Sequence, residues 1–501
     1  MTKTPQEIVK SAREAFDSGK TIPLEFREKQ LKSLLRMYEE NEEEMLEALK
    51  QDLNKSRMEA TLTEISILKM DIKEQITNLK EWAKPEKPPK PVANIMDEAL
   101  IYKDPYGVVL VISAWNYPIN LAFLPVTGAI AAGNCVIIKP SEISPASAEF
   151  VRKTLPKYLD NECYQVMCGG VPETSQLLKE KFDYIFFTGS THIGKIVYAA
   201  ANENLTPVTL ELGGKSPVFI DDDTNIDVAT RRILWGKCMN AGQTCIAPDY
   251  ILCSKKTQDK FVETAKKILK EWYGDNPQKS DDLCRIVSDQ HFKRVSKYLK
   301  DNGKIATGGK CDADDKFVEP TILIDVKPND PVMQDEIFGP ILPILTVHDS
   351  KEAIDFIRQR EKPLAMYIFS ENRPTIDKFL RNTSSGGVCV NDTLMHLGLS
   401  TLPFGGVGSS GMGHYHGKYT FDTFVHRKSI LVKNLNMIGE KILSSRYPPY
   451  SQSKLKRLQM ALEKTQFEIK LKYVPYMLIF GLGLITSFLA RYFVEKQKFR
   501  S

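Results

Sequence analysis

The sequence predicts an α/β protein with two parallel-sheet regions and a membrane-spanning helix near its C-terminal end. Between residues 108 and 210, unbroken apolar runs rich in Val and Ile alternate with helical stretches, as strands of a sheet covered on both faces do. Similar runs recur between residues 217 and 390, and residues 473–490 carry no charge. A chain of 501 residues exceeds one compact core, so two or three domains are expected.

The composition is that of a folded protein with no preference for nucleic acid. Apolar residues make up 42% of the chain and charged residues 26%, and the net charge of +5 is spread over mixed acids and bases. Nine cysteines without a CxxC pair, and no secretory signal, predict free thiols in a reducing compartment. His414 and His416 have no cysteine or carboxylate at metal-finger spacing, so we interpret them as a polar loop and expect no metal site.

Residues 4–82 have the pattern of helices, with apolar side chains at helical spacing in two series. The series are Leu24, Leu31, Leu34, Leu35 and Tyr38, and Leu62, Ile65, Leu68, Ile72, Ile76 and Leu79. The pattern ends at residues 85–91, where several prolines predict an extended linker.

Buried strands are predicted in both sheet regions from the length of the apolar runs and their β-branched residues. In the first region they are 108–113, 135–138, 164–167, 184–187 and 207–210, with helices at 121–132 and 173–179. In the second they are 217–221, 250–253, 341–344, 366–369 and 387–390, with helices at 226–239 and 260–272. Residues 429–435 form a late strand and a candidate oligomer contact.

A glycine turn at residues 188–194 follows the strand at 184–187 and opens a helix. Phosphate groups bind at such helix N-termini, and ligands of parallel sheets bind at the carboxyl ends of the strands. The literal GxGxxG at residues 406–411 follows no strand and lies in no βαβ unit, so we reject it as a dinucleotide site.

Cys245 lies among small and turn-forming residues, 240–248, between a helical segment and a strand. An open, backbone-rich setting stabilises a thiolate, so one interpretation is a nucleophile. The other is an inert loop cysteine, and the residue types alone leave both open.

The end of the chain predicts a membrane anchor. Residues 473–490 approach the roughly 20 apolar residues of a membrane span, and the helix extends to residue 494 if Arg491 reaches the interface. Tyr473, Tyr476 and Tyr492 are spaced like interface anchors. The alternative is a buried core helix. With seven residues after position 494, such a span inserts after synthesis and leaves the bulk of the protein in the cytosol.

Short motifs along the chain resemble those of one enzyme superfamily. They are Pro105-Tyr-Gly107, Ala114-Trp-Asn-Tyr-Pro118, Lys139-Pro-Ser-Glu142, Phe187-Thr-Gly-Ser190, Leu210-Glu-Leu-Gly-Gly-Lys215, Gly242-Gln-Thr-Cys245, Glu336-Ile-Phe-Gly-Pro340 and Pro403-Phe-Gly-Gly-Val-Gly408. In number, order and spacing they resemble the aldehyde dehydrogenase superfamily. Residues 415–424, residues 446–449 and the hydrophobic tail resemble its class 3 branch and, within it, the membrane-anchored fatty aldehyde dehydrogenases.

The resemblance implies the aldehyde dehydrogenase fold, with a Rossmann-like parallel-sheet cofactor domain, a second α/β catalytic domain, a small oligomerisation strand region and a C-terminal transmembrane helix. The implied divisions are an NAD(P)-binding domain at 1–80 and 103–210, a catalytic domain at 211–400, bridging or oligomerisation segments at 81–102 and 401–445, an amphipathic linker or gatekeeper at 446–472, and the transmembrane helix at 473–494.

The resemblance also implies a reaction, the NAD(P)-dependent oxidation of medium- to long-chain aldehydes to carboxylic acids. Cys245 forms a thiohemiacetal and then a thioester, Asn116 donates to the substrate oxygen, and Glu211 activates the hydrolytic water. The implied cofactor contacts are Lys139, Glu142, Gly189, Ser190, Gly194, Glu336 and Phe338. A carboxylate at Glu142 repels a 2′-phosphate, which favours NAD, with NADP as the alternative.

Two other functions stay open, a CoA-acylating dehydrogenase and a non-catalytic structural or binding protein on the same fold. Glu211 weighs against the first, because transthioesterification needs no base for water, and intact Cys245, Glu211 and Asn116 weigh against the second. The implied partners are an aldehyde substrate, a membrane and a second copy of the chain. We expect a tail-anchored protein of the endoplasmic reticulum membrane facing the cytosol, with the peroxisomal or mitochondrial outer membrane as alternatives.

Overall fold

A computed structural model of the chain describes residues 4–90, 94, 97–300, 302–433, 435, 440, 444–463, 479–487 and 489–490. The described residues belong to two compact units. The first comprises Met1–Ala83 with Asp104–His426, and the second comprises Lys84–Lys103 with Arg427–Ser501.

The described helices and strands alternate along most of the chain. The helices are α1 Pro5–Asp17, α2 Leu24–Glu40, α3 Glu42–Leu53, α4 Arg57–Ala60, α5 Ser66–Trp82, α6 Asn120–Ala132, α7 Pro145–Tyr158, α8 Val171–Leu177, α9 Thr191–Asn202, α10 Ile226–Cys238, α11 Lys255–Tyr273, α12 Asp289–Lys297, α13 Ser350–Arg358, α14 Arg373–Asn382, α15 Lys418–Thr423 and α16 Gln452–Glu463. The strands are β1 Glu98–Pro105, β2 Val108–Ile112, β3 Cys135–Lys139, β4 Tyr164–Val166, β5 Tyr184–Thr188, β6 Val208–Glu211, β7 Pro217–Ile220, β8 Tyr250–Cys253, β9 Lys304–Thr307, β10 Cys311–Asp312, β11 Phe317–Val318, β12 Thr321–Ile324, β13 Ile341–Thr346, β14 Ala365–Phe369, β15 Gly387–Val390, β16 Gly411–Met412 and β17 Val425–Val432.

The first sheet has six strands in the order β16-β6-β5-β2-β3-β4, and all of its described pairs are parallel except β16 with β6. Helices α1, α6, α7 and α9 pack against it. Strands β2, β3 and β5 are buried along their whole length, which is why their sequences are unbroken apolar runs. The predicted parallel sheet is therefore confirmed.

The second sheet has seven strands in the order β15-β14-β7-β8-β13-β12-β9. Its described pairs are parallel apart from the antiparallel edge strand β9. The two sheets thus lie within residues 108–211 and 217–390, with one exception. Strand β16, from the segment we expect to bridge, adds an antiparallel edge to the first sheet beside Glu211. The domain boundaries given above stay a prediction.

The N-terminal helices bury most of both expected apolar series, with Leu24, Leu35 and Ile76 half-buried. Leu31, Leu34 and Tyr38 are fully buried. Leu62, by contrast, is 54% exposed, so its place in the predicted face is wrong. A π-helical turn at Thr61–Ile65 precedes α5. Its wider turn rotates the residues before α5 relative to those after it, which breaks the 3.6-residue pattern.

The second unit pairs β1 with β17, so a late strand is present, at Val425–Val432. Near it, Glu86 accepts hydrogen bonds from Arg427 and forms an ion pair with Lys103 at 3.2 Å. The part of β17 in an oligomer contact stays a prediction.

The C-terminal segments are described only in part. Half of the predicted span at 473–494 lies outside the described residues, which there comprise 479–487 and 489–490. Within the described parts of the chain, no helix has the length and apolar character to cross a bilayer. Of the expected linker at 446–472, the structure describes residues 446–463, which contain α16.

Core truncation provides a test of the first sheet. Phe186 in β5 is fully buried, and its ring lies 5.1 Å from that of Tyr415. Replacing Phe186 with Ala should lower the free energy of unfolding by about 3–5 kcal/mol, because the cavity left behind adds to the lost burial. Chemical denaturation measures this.

The matched control for that substitution is Leu380→Ala on α14, where the side chain is 43% exposed. It should change the free energy of unfolding by about 0.5 kcal/mol or less. Equal losses for the two variants would contradict the placement of Phe186 in the core.

Candidate active site

One cavity of about 780 Å³ opens where strands of the first sheet end. Its walls come from the residues after β2, β5 and β6, from Cys245, and from residues before β13. Of the predicted site residues it brings together Asn116, Gly189, Ser190, Glu211, Cys245, Glu336 and Phe338. Lys139, Glu142 and Gly194 do not line it. The position agrees with the rule that ligands of parallel sheets bind at the carboxyl ends of strands.

The loop before Cys245 is held in a rare backbone conformation. Asn240, Ala241 and Gly242 have φ values of 51°, 51° and 73°, which is the left-handed region. A side chain at Gly242 would collide with the carbonyl of Gly339, so the strain is combined with a close approach. Strain of this kind persists where the surroundings fix the backbone, and it is frequent at functional sites.

The side chain of Gln243 holds that loop in place through three hydrogen bonds. Its Nε2 donates to the carbonyls of Asn240 and Arg285, both at 3.0 Å, and its Oε1 accepts from the N–H of Val287 at 3.0 Å. The side chain is fully buried. Cys245, two residues later, is therefore presented to the cavity by a rigid backbone.

The surroundings of Cys245 favour the thiol over the thiolate. Burial raises the pKa of Cys245, and the negative charges of Glu336 and Glu211 raise it further. The backbone N–H groups of Cys245 and Ile246 lower that pKa, but by less. The expected stabilisation by an open, backbone-rich loop is thus outweighed, because the site is more enclosed than the small residues suggest.

Asn116 faces Cys245 from the turn after β2. Its side-chain Nδ2 donates to the carbonyl of Gln243 at 3.0 Å, and in the described part of the chain it makes no other hydrogen bond. An amide nitrogen carries two N–H groups. One of them is therefore left for a ligand in the cavity.

Glu211 ends β6 and is 2% exposed. Neither of its carboxylate oxygens has a hydrogen-bond partner among the described residues. Burial holds the pKa of Glu211 well above its usual range. Buried polar atoms are nearly always paired, so an unpaired buried acid marks a functional site more often than a structural one.

Glu336 and Phe338 form the opposite wall. Burial raises the pKa of Glu336 to about 8. A side chain at Gly213 would collide with the Glu336 carboxylate, so this glycine makes room for it. Phe338 has a left-handed φ of 48° and packs edge-on against Trp115, with ring centroids 5.3 Å apart.

The cavity also contains residues that the sequence did not single out. Trp115 contacts His291, with ring centroids 4.8 Å apart, and Arg294 donates to the carbonyl of Ile337 at 2.8 Å. His291 and Arg294 lie on α12, far from every motif in the chain, and their helix carries no sequence signal for a site. Trp115 lies inside one of the family motifs, next to Asn116. Of these three residues, it is the one that its residue type and its position could have identified as part of the site.

A dinucleotide fits this surface. Residues 188–191 line the cavity at the start of α9, where the Ser190 side chain accepts from the N–H of Ile193 at 3.4 Å. Lys195, Arg360 and Lys362 add positive charge to the same wall. Backbone N–H groups at a helix N-terminus with nearby cations suit a pyrophosphate.

The three predicted cofactor residues outside the cavity have other positions. Lys139 ends β3, and its Nζ donates to Glu142 at 2.5 Å. Gly194 is buried, and a side chain there would clash with Leu212. Gly194 thus allows α9 to approach β6 closely.

His416 was expected in a polar loop, and that expectation is wrong. Its side chain is buried and stacks on the ring of Phe404, with ring centroids 5.0 Å apart. Among the described residues, no His, Cys, Asp and Glu group has the arrangement of a metal site.

The sequence profile described as "Aldehyde dehydrogenase family" matches residues 2–430. The chain belongs to the aldehyde dehydrogenase family. Aldehyde dehydrogenases of this family use NAD or NADP, and the chain is an NAD(P)-dependent enzyme that oxidises aldehydes.

Curated relatives place this aldehyde dehydrogenase in the class 3 branch. It is 50% identical to mouse "Aldehyde dehydrogenase family 3 member B1" over 92% of the chain and 97% of that protein. It is 53% identical to rat "Aldehyde dehydrogenase, dimeric NADP-preferring" over 88% and 97%, and 52% identical to mouse "Aldehyde dehydrogenase family 3 member A2" over 88% and 91%.

Solved structures agree with the fold. A substrate-bound AldH of Staphylococcus aureus superposes with a TM-score of 0.88 at 45% identity, covering 92% of this chain and 99% of its own. An NAD⁺ complex of a Bacillus cereus aldehyde dehydrogenase superposes with a TM-score of 0.78 at 26% identity, covering 86% and 89%. The aldehyde dehydrogenase fold is therefore confirmed.

The raised pKa of Cys245 can be measured by alkylation. The rate of iodoacetamide labelling of Cys245 should rise about tenfold per pH unit and should not level off by pH 9, because only the thiolate reacts. Glu336→Gln should speed labelling at a fixed pH, since it removes a negative neighbour that raises the Cys245 pKa. Peptide mass spectrometry reports each cysteine separately.

Cys253, buried in β8, is the internal control, and its labelling should be the same in both proteins. A plateau in Cys245 labelling below pH 8 would show that the site stabilises the thiolate after all.

Proposed function

We propose that this aldehyde dehydrogenase oxidises medium- to long-chain aliphatic aldehydes to carboxylic acids through a thioester on Cys245. The observation that carries the proposal is one cavity in which a cysteine, an amide donor and an unpaired buried carboxylate converge, namely Cys245, Asn116 and Glu211. Each step of an acyl transfer to water needs one of these groups.

In the first step the Cys245 sulfur attacks the aldehyde carbon. The carbon–sulfur bond forms as the carbonyl electron pair moves to oxygen, which gives a thiohemiacetal. The Asn116 amide and the N–H of Cys245 donate to that oxygen, where negative charge develops. The thiol proton leaves as the bond forms, and the neighbouring carboxylate of Glu336 accepts it, which leaves Glu211 unprotonated for the third step.

In the second step the thiohemiacetal becomes a thioester. The nicotinamide of NAD(P) supplies the hydride acceptor when it is bound. Glu336 and Phe338 would hold the nicotinamide ribose of that ligand, Gly189 and Ser190 its phosphates, and Lys139 and Glu142 its adenosine ribose. The roles of all six residues rest on their positions in the motifs. Those of Glu336, Phe338, Gly189 and Ser190 rest also on their place in the cavity wall.

In the third step water attacks the thioester. Glu211 takes a proton from the water, the hydroxyl adds to the carbonyl, and the Cys245 sulfur leaves and regains a proton. Because the pKa of Glu211 is raised, its base form grows as the pH rises through a range that lies above that of an ordinary glutamate. Turnover should therefore increase with pH across this range wherever hydrolysis limits the rate.

The uncharged C-terminal residues support a membrane location. We propose that residues 473–494 anchor the enzyme in the endoplasmic reticulum membrane with its catalytic part in the cytosol, the peroxisomal and mitochondrial outer membranes being alternatives. Long alkyl chains partition into bilayers at about 0.8 kcal/mol per methylene, so an anchored enzyme meets such aldehydes at high local concentration.

We also propose a homodimer, because one relative is named dimeric and the chain offers the late strand β17. The same relative is named NADP-preferring, so NADP stays beside NAD as a cofactor of this chain.

Glu211→Gln tests the hydrolytic step. It should form about one NADH per active site in a burst and then turn over at least about 10²-fold more slowly than wild type, because a thioester accumulates without its base. Stopped-flow fluorescence measures the burst and mass spectrometry detects acylated Cys245. The rise of wild-type turnover with pH should disappear in this variant.

Cys245→Ala is the matched control and should bind cofactor but give no burst. Steady release of free acid by Glu211→Gln at the wild-type rate would contradict the assignment of the base. An acyl-CoA product from the wild-type enzyme with added CoA would favour the CoA-acylating reaction.

Removal of residues 473–501 tests the anchor and the substrate class together. The truncated enzyme should move to the soluble fraction and lose rate on long-chain aldehydes presented in vesicles, while its rate on short, water-soluble aldehydes stays the same. Fractionation after an alkaline wash and NADH assays over a series of chain lengths measure both effects.

Removal of residues 495–501 alone keeps the whole proposed span and should leave the enzyme with the membrane. The proposed anchor is wrong if the longer truncation still pellets with membranes.

A further inference from the structure

Two oppositely charged side chains lie buried beside the active site and have no part in the chemistry above. Lys55 follows α3, and Glu64 lies in the π-helical turn Thr61–Ile65. Both side chains are 0% exposed, and Lys55 Nζ lies 2.5 Å from Glu64 Oε1. Burying an ion pair costs desolvation that its attraction often does not recover, so such a pair is weak evidence for stability.

The remaining contacts of this pair converge on one turn, residues 115–120. Lys55 Nζ donates to the carbonyl of Asn116 at 3.0 Å and lies 3.9 Å from the centre of the Tyr117 ring. Glu64 Oε2 accepts from the N–H groups of Ile119 at 2.9 Å and Asn120 at 3.1 Å. Lys55 therefore binds the start of the turn, at Asn116, and Glu64 binds its end, at Ile119 and Asn120.

These contacts determine where the Asn116 amide points. The Asn116 carbonyl accepts from Lys55 Nζ and also from Asn240 Nδ2 at 2.7 Å. A carbonyl oxygen has two lone pairs, so both are used and the peptide plane is fixed. On this fixed backbone, the side-chain Nδ2 donates to Gln243 and keeps its second N–H for the cavity.

The π-helical turn explains how Glu64 reaches this position. The wider turn exposes Leu62 and buries Glu64, two residues later, against the start of α6. π-helical turns are rare in proteins overall, and those that occur lie frequently at functional sites. The helical segment therefore departs from regular geometry at the residue that supports the turn.

We propose that Lys55 and Glu64 are positioning residues for the oxidation reaction, and that they hold the Asn116 amide where the substrate oxygen becomes charged. This inference rests on the proposed role of Asn116 as the donor to that oxygen. It extends the site to a part of the chain, residues 55–64, that does not line the cavity.

The test uses the double variant Lys55→Met with Glu64→Gln in the full-length enzyme. This variant removes both charges of the pair together, and the Gln keeps an acceptor for the N–H groups of Ile119 and Asn120. The NADH burst with an aliphatic aldehyde should slow by about 10- to 100-fold, less than the roughly 10²- to 10³-fold expected for loss of a whole oxyanion donor. The Kd for NAD and the Tm should stay near the wild-type values.

Asn116→Ala separates positioning from general damage. If the pair acts through Asn116, the burst in the triple variant should be no slower than in Asn116→Ala alone, since residues that act as a unit are not additive. Independent structural damage would multiply the two losses. The exposed pair Arg57 and Glu43, 2.5 Å apart on neighbouring elements, provides the control Arg57→Met with Glu43→Gln, which should keep the wild-type burst.

The outcomes distinguish the two proposals. A wild-type burst in Asn116→Ala overturns the proposed role of Asn116 and this inference with it. Two other outcomes overturn the inference alone, and in both the NADH burst of Asn116→Ala is slow. In one, the Lys55 and Glu64 variant keeps the wild-type burst rate. In the other, the losses in burst rate multiply in the triple variant. If the double variant does not fold, Lys55→Met with Glu64→Met replaces the pair by apolar side chains of similar size, and the same expectations apply.

Discussion

The hydrogen bond from Asn116 to the carbonyl of Gln243 joins the two halves of the proposed reactive centre. Asn116 belongs to the turn after a strand of the first sheet, whereas Gln243 belongs to the loop that precedes a strand of the second. In the reaction we propose, neither the Asn116 amide nor Cys245 suffices alone, because an oxyanion donor helps only at the distance set by the attacking atom. The rigid backbone on both sides of this contact is what fixes that distance.

Features that cost free energy lie near that contact, as they also do elsewhere in the chain. Asn240 and Ala241 keep left-handed backbones, and Glu211 is buried with neither oxygen paired. Each feature costs free energy that a purely structural loop or strand end would avoid. Both lie within the walls or the support of one cavity, which is why we interpret them as features of catalysis rather than of folding.

The sequence was sufficient for those features that are local. The buried strands were predictable because a fully covered parallel strand is an unbroken apolar run, and β2, β3 and β5 are such runs. The glycine turn before α9 was predictable from its place after a strand. Seven of the ten predicted site residues line one cavity because they lie in motifs whose spacing the resemblance supplied.

Features that depend on distant contacts were not predictable. Nothing at residues 61–65 indicates a π-turn, because it arises where Glu64 meets the N–H groups of Ile119 and Asn120. His416 has the sequence context of a polar loop, yet Phe404 stacks on it. Burial raises the Cys245 pKa most, and the charges of Glu336 and Glu211, more than thirty positions away on either side, raise it further. Small neighbours in sequence reveal neither effect.

The pairing of β16 with β6 has a consequence for biosynthesis. Gly411 lies opposite Glu211, and the N–H of Leu212 donates to the carbonyl of Ser410, so the strand that ends at Glu211 gains its outer neighbour only from residues 410–412. A chain still on the ribosome with this stretch inside the exit tunnel has an open sheet edge beside its acid. The pocket therefore gains this edge only after residues 410–412 have left the ribosome, and until then a nascent chain carries Cys245 in an incomplete site.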